Sequence, residues 1–243
     1  MKELTIKKAL AGNTYPGRGI LMGIHRSNDF LVMAYFIMGR SVNSRNRIFE
    51  MDPEDDGMHT EAADPSLLED PSLVIYSAMK LLDQQVVITN GDQTDTIADF
   101  LRAGNTFESA LRTRCYEPDP PHFTPRISGL MDFSRSEIRY KLSILKTGDG
   151  DETQSQRFFF DYTGKAGLGH LIHTYQGDGD PRLPSFEGEP RAIRIDGSID
   201  QFTERIWEAL DPENRVSLMT SFLDRKSGRM NIRITNRHQK APE

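Results

Sequence analysis

Hydrophobic residues in this chain follow two periodicities, one typical of strands and the other typical of helices. Apolar runs at 19–24 and 30–36 flank a polar triplet at 27–29, which predicts an antiparallel hairpin. Apolar positions within 199–210 recur at helical spacing and predict a helix. Two further pairs of β-favouring runs predict two more antiparallel hairpins, 136–145 with 157–163 and 216–224 with 229–236.

The middle of the chain mixes the two patterns. After Pro71, the apolar positions of 73–82 fit a helical stripe, so we predict a helix that carries Tyr76 beside this stripe. The β-branched run 85–89 predicts a strand that ends at Asn90-Gly91. Two helices are predicted to follow, at 92–104 and 106–114. The elements together predict a layered α/β (α+β) fold with largely antiparallel sheets.

Composition restricts the class of protein. The 243 residues are 37% hydrophobic and show no break in composition, so we predict one domain over 1–243. The net charge of -6, without a block of like charge, argues against a nucleic-acid-binding protein. No stretch has the apolar length of a signal peptide or a membrane span, so we expect a cytoplasmic protein that does not bind membranes.

Metal-binding residues are sparse in the sequence. The lone cysteine, Cys115, permits neither an intramolecular disulfide nor a cysteine-based metal site. His170 and His173 are three residues apart, but neighbouring glycines make a helix doubtful and no acidic residue has clear ligand spacing. We therefore predict no metal site.

Three polar segments have both a chemical and a purely structural interpretation. The helix start after Asn90-Gly91 can bind phosphate through free N–H groups, although an ordinary turn and cap explain it as well. The arginines of 39–50, with Arg18 and Arg26 of the preceding hairpin, can meet at adjacent strand ends and bind phosphate oxygens. Alternatively they form a solvated loop that balances the acidic segment 51–66, which we expect to be an exposed loop. The proline-rich segment 115–126 is irregular, and it either holds reactive groups rigidly or only connects two elements.

Several short motifs occur in a fixed order between residues 17 and 130. ITNGDQTDTIADFLRAG begins at Ile88, and YEPDPPHFTPRI begins at Tyr116. They follow GRGILMGIHRSNDFLVMAYFIMGRSVNSRNR at 17–47 and PSLVIYSAMKLL at 71–82, and HTYQ comes later, at 173–176. In content and order these motifs resemble the archaeal-type IMP cyclohydrolase family. Beyond residue 130 the matches become thin.

The resemblance implies both a fold and a reaction. The implied fold is a four-layer α-β-β-α sandwich like that of the N-terminal nucleophile hydrolases. The implied reaction closes 5-formamidoimidazole-4-carboxamide ribotide to inosine monophosphate and releases water. The expected partner is therefore a small purine ribotide, with no nucleic acid, no cofactor and no metal, and a homo-oligomer is compatible with the family.

The resemblance also implies roles for individual residues. Arg45 would stabilise the formyl oxygen, Tyr76 would orient the amide or relay its proton, and Glu117 would act as acid or base. The loop reads SVNSRNR here, so the family's arginine maps to either Arg45 or Arg47. The expected substrate-binding residues are Arg26, Arg47, Asn90, Thr94 and Arg126.

Two other functions fit the same sequence. An N-terminal nucleophile amidohydrolase requires a mature chain that starts with Cys, Ser or Thr, whereas this sequence starts Met-Lys-Glu-Leu-Thr and places Cys115 in mid-chain. A non-catalytic protein that binds purine nucleotides is the second alternative. The joint presence of Arg45, Tyr76 and Glu117 favours the enzyme over this binding protein.

Overall fold

The computed structural model describes residues 3–52, 57–68, 71–148 and 151–240 of the chain. Its elements, numbered in chain order, are α1 (Ile6–Leu10), β1 (Arg18–Ile24), β2 (Phe30–Met38), α2 (Val42–Arg45), β3 (Ile48–Met51), β4 (Met58–Glu61), α3 (Pro71–Val74), β5 (Tyr76–Leu82), β6 (Gln85–Thr89), α4 (Gln93–Arg102), α5 (Phe107–Arg112), β7 (Arg126–Asp132), β8 (Arg139–Gly148), β9 (Asp151–Thr163), β10 (Leu168–His173), β11 (Arg191–Arg194), α6 (Ile199–Ala209), β12 (Arg215–Asp224) and β13 (Met230–Asn236). A 3-10 turn, Pro65–Leu67, lies between β4 and α3.

The strands form two sheets in which neighbouring strands are antiparallel. The first sheet has the order β11-β10-β1-β2-β12-β13, and the second runs from β3 to β9 in chain order. The three predicted hairpins are confirmed as β1–β2, β8–β9 and β12–β13. The β8–β9 hairpin is longer than predicted, because its strands continue through most of the polar stretch between the two apolar runs.

The two sheets pack face to face, and helices cover both outer faces. Side chains such as Tyr35 and Ile127 from opposite sheets share the core between them. On the outer face of the first sheet, Phe36 packs with Phe202 of α6, and α1 joins the same cluster. Helices α4 and α5 pack against Val87 on the outer face of the second sheet. The chain is therefore an α+β sandwich whose layers run helix, sheet, sheet, helix.

This layering explains why strand β2 reads as a continuous apolar run. A strand sends alternate side chains to opposite faces, so Tyr35 points between the sheets and Phe36 points toward the helices. Both faces are covered, and every residue of β2 after Phe30 is buried. Burying an aromatic or aliphatic side chain of this size stabilises the fold by about 1.5–3 kcal/mol.

The helix predicted for 73–82 is wrong. One helical turn, Pro71–Val74, forms there, and Tyr76–Leu82 is strand β5 between β4 and β6. Short apolar runs fit either period, and pairing with two neighbouring strands decides the outcome here. Tyr76 and Ala78, two residues apart, both face the inter-sheet core, as strand geometry requires.

Two segments that were predicted as irregular contain regular structure. Within the acidic segment 51–66, Met58–Glu61 forms strand β4, which pairs with β3 and buries Met58. The most acidic part of this segment, 53–56, lies outside the described residues. Strand β4 forms because its alternate residues reach the inter-sheet core, which outweighs the local charge.

The arginine-rich segment contains the short helix α2 rather than only a loop. Ser41 caps its first turn, since its hydroxyl accepts a hydrogen bond from the N–H of Ser44 at 3.1 Å. The Ser44 hydroxyl in turn accepts from the N–H of Ser41 at 2.9 Å, which completes a reciprocal capping pair. This turn separates Arg45 from Arg47, because the helix ends between them.

The other helices agree with the sequence pattern. Helices α4, α5 and α6 are confirmed close to their predicted positions. Gly104 adopts φ +75° just after α4, which is the conformation that ends many helices and that glycine adopts without strain. Among the described residues, no helix is long and apolar enough to cross a bilayer.

Candidate active site

Arginine, tyrosine and glutamate side chains from five distant segments meet at one end of the sandwich. Arg18, Tyr76 and Arg126 are the first residues of β1, β5 and β7. Arg47 precedes β3, and Glu117 comes from the irregular segment before β7. All five are less than one-tenth exposed, and their charges and dipoles interact with one another.

A pair of tyrosines forms one wall of this cluster. The hydroxyls of Tyr35 and Tyr76 are 2.7 Å apart, within hydrogen-bond distance, and both side chains are buried. Burial raises the pKa of both hydroxyls, although the nearby Arg47 and Arg18 oppose this rise. Both tyrosines are therefore protonated at neutral pH. One hydroxyl can donate to the other, which is then free to donate to a further group.

Glu117 is the buried carboxylate of the cluster. Burial raises its pKa to about 6, against the opposing effects of Arg18 and Arg126. A carboxyl group with this pKa exchanges a proton readily near neutral pH, which suits general acid–base chemistry.

Hydrogen bonds hold the segment that carries Glu117 in place. The N–H of Glu117 donates to the carbonyl of Thr124 at 2.9 Å. The N–H of Thr124 donates to Oδ1 of Asp119 at 2.6 Å, and the Thr124 hydroxyl lies 2.7 Å from that of Tyr175. The Asn90 amide donates to the carbonyl of Pro125 at 2.9 Å. The irregular segment is thus rigid, so the carboxyl group is held in a defined position.

Arg18 and Arg47 supply two buried positive charges beside Glu117. They are 7% and 5% exposed, which excludes the ordinary solvated state of a guanidinium. Burial and then the neighbouring Arg18 lower the pKa of Arg47. Burial also lowers the pKa of Arg18, but Glu117 and the neighbouring tyrosines together outweigh it and raise this pKa. Both side chains stay protonated, since arginine pKa values start above 12.

Arg126 is anchored at the start of α4. Its Nη1 donates to Oε1 of Gln93 at 2.6 Å and lies 2.6 Å from Oδ1 of Asp92. Gly91 allows this approach, because a Cβ there would lie 2.5 Å from Nη1 of Arg126 and 3.4 Å from Oε1 of Glu117. The glycine of the Asn-Gly pair is therefore required by close packing beside the cluster.

Asn90 and Thr94, both expected to bind substrate, lie next to the cluster with their side chains engaged by the protein. Oδ1 of Asn90 accepts from the N–H of Ile127 at 2.8 Å. The Thr94 hydroxyl lies 2.7 Å from that of Thr89 and donates to the carbonyl of Gly91 at 3.2 Å. In this arrangement both residues support the geometry of the strand end and helix start.

Two of the expected site residues lie elsewhere. Arg45 donates to the carbonyl of Gly39 at 3.0 Å and lines a separate surface cavity of about 360 Å³ with Val42 and His238. Arg26 is exposed and lies two residues beyond Ile24, the last residue of β1, and this strand alone spans roughly 20 Å from Arg18 to Ile24. Of the two arginines that fit the SVNSRNR motif, the structure brings Arg47, and not Arg45, to Tyr76 and Glu117.

Sequence reasoning missed Tyr35, and it included Arg18 only in a group of arginines that could bind phosphate. Each had a signal: Arg18 opens an otherwise apolar strand between two glycines, and Tyr35 places a hydroxyl inside a buried run, where it needs a partner. Neither signal identifies a site by itself, since the partners come from segments far away in sequence.

One group of possible metal ligands occurs among the described residues. Ligand atoms of Glu50, His59 and Glu61 lie within 4.8 Å of one another on the β3–β4 hairpin. The Lys240 ammonium lies 2.9 Å from Glu61 and 3.7 Å from Glu50, so a cation already faces both carboxylates. The absence of a metal remains a prediction.

The fold and the site together define a class. An α+β sandwich that buries a tyrosine pair, a carboxyl group with a raised pKa and two guanidiniums at one end of its sheets has the groups expected of an enzyme that transfers protons on a small molecule. A family model described as IMP cyclohydrolase-like protein matches residues 15–227, a range that includes every member of the cluster. The chain belongs to this IMP cyclohydrolase-like family.

Three archaeal relatives support the assignment. The IMP cyclohydrolase of Methanopyrus kandleri is 28% identical over 147 residues, which cover 56% of this chain and 72% of the relative. That of Methanosphaera stadtmanae is 28% identical over 118 residues, or 47% of this chain and 57% of the relative. That of Methanocaldococcus jannaschii is 32% identical over 87 residues, or 32% of this chain and 43% of the relative.

Proposed function

We propose that this protein is an IMP cyclohydrolase, which closes 5-formamidoimidazole-4-carboxamide ribotide to inosine monophosphate and releases water. The observation that supports this most directly is the burial of Arg47, Tyr76 and Glu117 in one cluster, within the range matched by the family. The names of the archaeal relatives agree with this function. The reaction places the enzyme among hydrolases that act on a C–N bond.

The chemistry requires little beyond these groups. The carboxamide nitrogen attacks the formyl carbon of the same molecule, so the protein has to hold one reactive rotamer. This nitrogen is a poor nucleophile, and Glu117, with its pKa near 6, can accept the proton that it loses. Arg47 stabilises the negative charge that develops on the formyl oxygen, and the Tyr76 hydroxyl orients the amide.

The surrounding residues position the substrate in this proposal. Arg126 is the arginine that we assign to substrate binding, and Asn90 and Thr94 maintain the strand end and helix start beside it. Asp92 already places a carboxylate at the start of α4, where it pairs with Arg126 and Arg114. A phosphate at that helix start would meet this carboxylate, so the phosphate is better accommodated by the arginines.

The fold belongs to the same proposal. The helix, sheet, sheet, helix layering is compatible with an N-terminal nucleophile hydrolase-like fold. We also propose that residues 1–243 act as one domain, because the core between the sheets takes side chains from both ends of the described chain. The small-molecule partner is a purine ribotide.

The test is direct. Purified protein is mixed with the formamido ribotide in the presence of a chelator, and inosine monophosphate is followed by absorbance. We expect turnover without added metal. Folded protein that binds inosine monophosphate but shows no turnover would support the non-catalytic binding protein instead, and turnover that stops with chelator and returns with metal would overturn the metal-free mechanism.

A further inference from the structure

The buried charges of the candidate site do not balance. Arg126 is paired with Asp92. Arg18 and Arg47 face a single buried carboxylate, that of Glu117. Two cations and one anion leave one positive charge in a region where a charge without a partner is costly.

The two guanidiniums also keep donors without protein partners. Nε of Arg18 and Nε of Arg47 are buried, and neither has a hydrogen-bond partner within the described part of the chain. Native structures pair nearly all buried donors, so two adjacent exceptions call for an acceptor from outside the protein. The tyrosine hydroxyls and Glu117 lie in the same cluster, which places such an acceptor among the reactive groups.

The chain around Arg18 is shaped to hold this residue. Gly17 has φ +75°, and a Cβ there would lie 2.2 Å from the Thr174 hydroxyl. A Cβ at Gly19 would lie 2.1 Å from the ring of Phe36. The N–H of Arg18 donates to the Thr174 hydroxyl at 3.1 Å, and its carbonyl accepts from the N–H of Thr174 at 2.9 Å. The backbone on both sides of this arginine is therefore fixed, and its charged end is preorganised.

We propose that Arg18 and Arg47 together bind one negative charge on an oxygen of the reacting molecule, which makes Arg18 a further catalytic residue. This inference rests on the proposed function. As the bond from the carboxamide nitrogen to the formyl carbon forms, the carbonyl electron pair moves to the formyl oxygen. That oxygen leaves as water with one proton from the carboxamide nitrogen and one from the formamide nitrogen.

The charge count gives this arrangement its catalytic value. As Glu117 takes the proton of the carboxamide nitrogen, the negative charge beside the two guanidiniums moves from its carboxylate to the formyl oxygen. Two guanidiniums therefore favour the transition state over the neutral substrate, which is the condition for lowering the barrier.

The kinetic test compares Arg18→Gln with Arg215→Gln. Arg215 is a half-buried arginine that donates to the carbonyl of Trp207 at 2.7 Å, on the helix side of the first sheet. Arg18→Gln should lower kcat by about a hundredfold to a thousandfold with little change in affinity for inosine monophosphate. It should leave the melting temperature unchanged or higher, because it removes surplus buried charge. Arg215→Gln should lower the melting temperature and leave kcat unchanged.

A binding measurement gives a readout without turnover. Xanthosine 5′-monophosphate carries an oxygen on the ring carbon that derives from the formyl group, and its ring loses a proton in the mildly acidic range, so the ring is anionic at neutral pH. By calorimetric titration, the wild-type protein should bind it roughly tenfold to a hundredfold more tightly than inosine monophosphate. This difference in affinity should shrink as the pH falls and the ring becomes neutral, disappear in Arg18→Gln and persist in Arg215→Gln.

The outcomes separate this inference from the proposed function. A wild-type preference for xanthosine 5′-monophosphate without conversion of the formamido ribotide would support the anion site and refute the cyclohydrolase. If Arg18→Gln converts the formamido ribotide normally and still prefers xanthosine 5′-monophosphate over inosine monophosphate, Arg18 has no catalytic role. The proposed cyclohydrolase function would then still stand. If Arg18→Gln does not fold, Arg18→Lys keeps the charge but lacks Nε. Arg18→Lys should lose most of the preference for xanthosine 5′-monophosphate over inosine monophosphate. An unchanged preference would contradict the proposal.

Discussion

The two ends of the inter-sheet core each bury a hydrogen-bonded tyrosine, but they differ in charge. At one end, Tyr35 and Tyr76 pair at 2.7 Å beside arginines and a glutamate. Toward the other, the Tyr140 hydroxyl lies 2.7 Å from Nδ1 of His170. Burial lowers the pKa of His170 to about 4, so the ring is neutral at neutral pH.

The difference indicates which end carries function. A buried hydroxyl and a neutral imidazole satisfy each other and need nothing further. Two guanidiniums and one carboxylate do not satisfy one another, because one positive charge is left over. The Nε donors of Arg18 and Arg47 are also buried without a partner among the described residues. A hydrogen-bonded tyrosine is therefore compatible with a purely structural role, whereas surplus buried charge points to a ligand.

The largest expected effect tests the carboxyl group at the charged end. Glu117→Gln keeps the shape of the side chain but cannot exchange a proton, so turnover should fall by about a hundredfold to ten-thousandfold. Affinity for inosine monophosphate should change little. The control is Glu108→Gln, the same change at a carboxylate that lies 2.5 Å from Lys141 on the outer side of the second sheet. Normal turnover of folded Glu117→Gln would remove the acid–base role.

The next effect separates two neighbouring arginines. Arg47→Gln should lower kcat by about a hundredfold to a thousandfold, since it removes a buried positive charge beside Tyr76 and Glu117. Arg45→Gln should leave kcat near wild type, because that side chain lies on a different cavity. Steady-state kinetics of both variants measure this difference in kcat. A large loss of kcat in Arg45→Gln and none in Arg47→Gln would assign the catalytic role to Arg45.

The third prediction uses pH, to which the two ends respond in opposite directions. The pKa of Glu117 in the folded protein, about 6, lies above its ordinary 4.5, so ionisation lowers stability above pH 6 and this cost is absent below pH 4.5. The pKa of His170, about 4, lies below its ordinary 6.5, so its contribution to stability is present above pH 6.5 and lost as pH falls toward 4.

Denaturant unfolding across this range measures both effects. The stability of wild type relative to Glu117→Gln should rise by about 2 kcal/mol from pH 7 to pH 4.5. Relative to His170→Gln, it should fall over the same interval. A difference from Glu117→Gln that does not vary with pH would show that this carboxyl group has an ordinary pKa.

The smallest expected effect compares the tyrosines themselves. Tyr35→Phe and Tyr140→Phe each leave one buried hydrogen-bonding partner unsatisfied, so each should lower the free energy of unfolding by about 1–3 kcal/mol. Tyr35→Phe should also lower kcat by about tenfold, because the Tyr76 hydroxyl loses the partner that orients it. Equal kinetic effects in both variants would mean that the loss reflects stability and not the position of Tyr76.

Much of the local structure follows from the sequence. Polar turns between apolar runs specify the three hairpins, and helical spacing specifies the longer helices, with Gly104 at the end of one of them. These features depend on interactions within a few residues. The ordered motifs between 17 and 130 also indicate the family, and they contain Tyr76, Glu117 and Arg126 of the cluster, because each motif is a contiguous segment.

Other features were decided by tertiary structure. Tyr76 lies on a strand because β4 and β6 offer it partners on both sides, which an apolar run alone does not reveal.

The order of letters in SVNSRNR likewise does not show that a helical turn ends between Arg45 and Arg47 and turns only the second toward Glu117. Arg18 joins the site because β1 and β7, more than a hundred residues apart, begin at the same end of facing sheets. Local patterns therefore determined which elements and motifs this protein has. The packing of two sheets determined which charges are buried together, because burial and proximity depend on segments that are far apart in the chain.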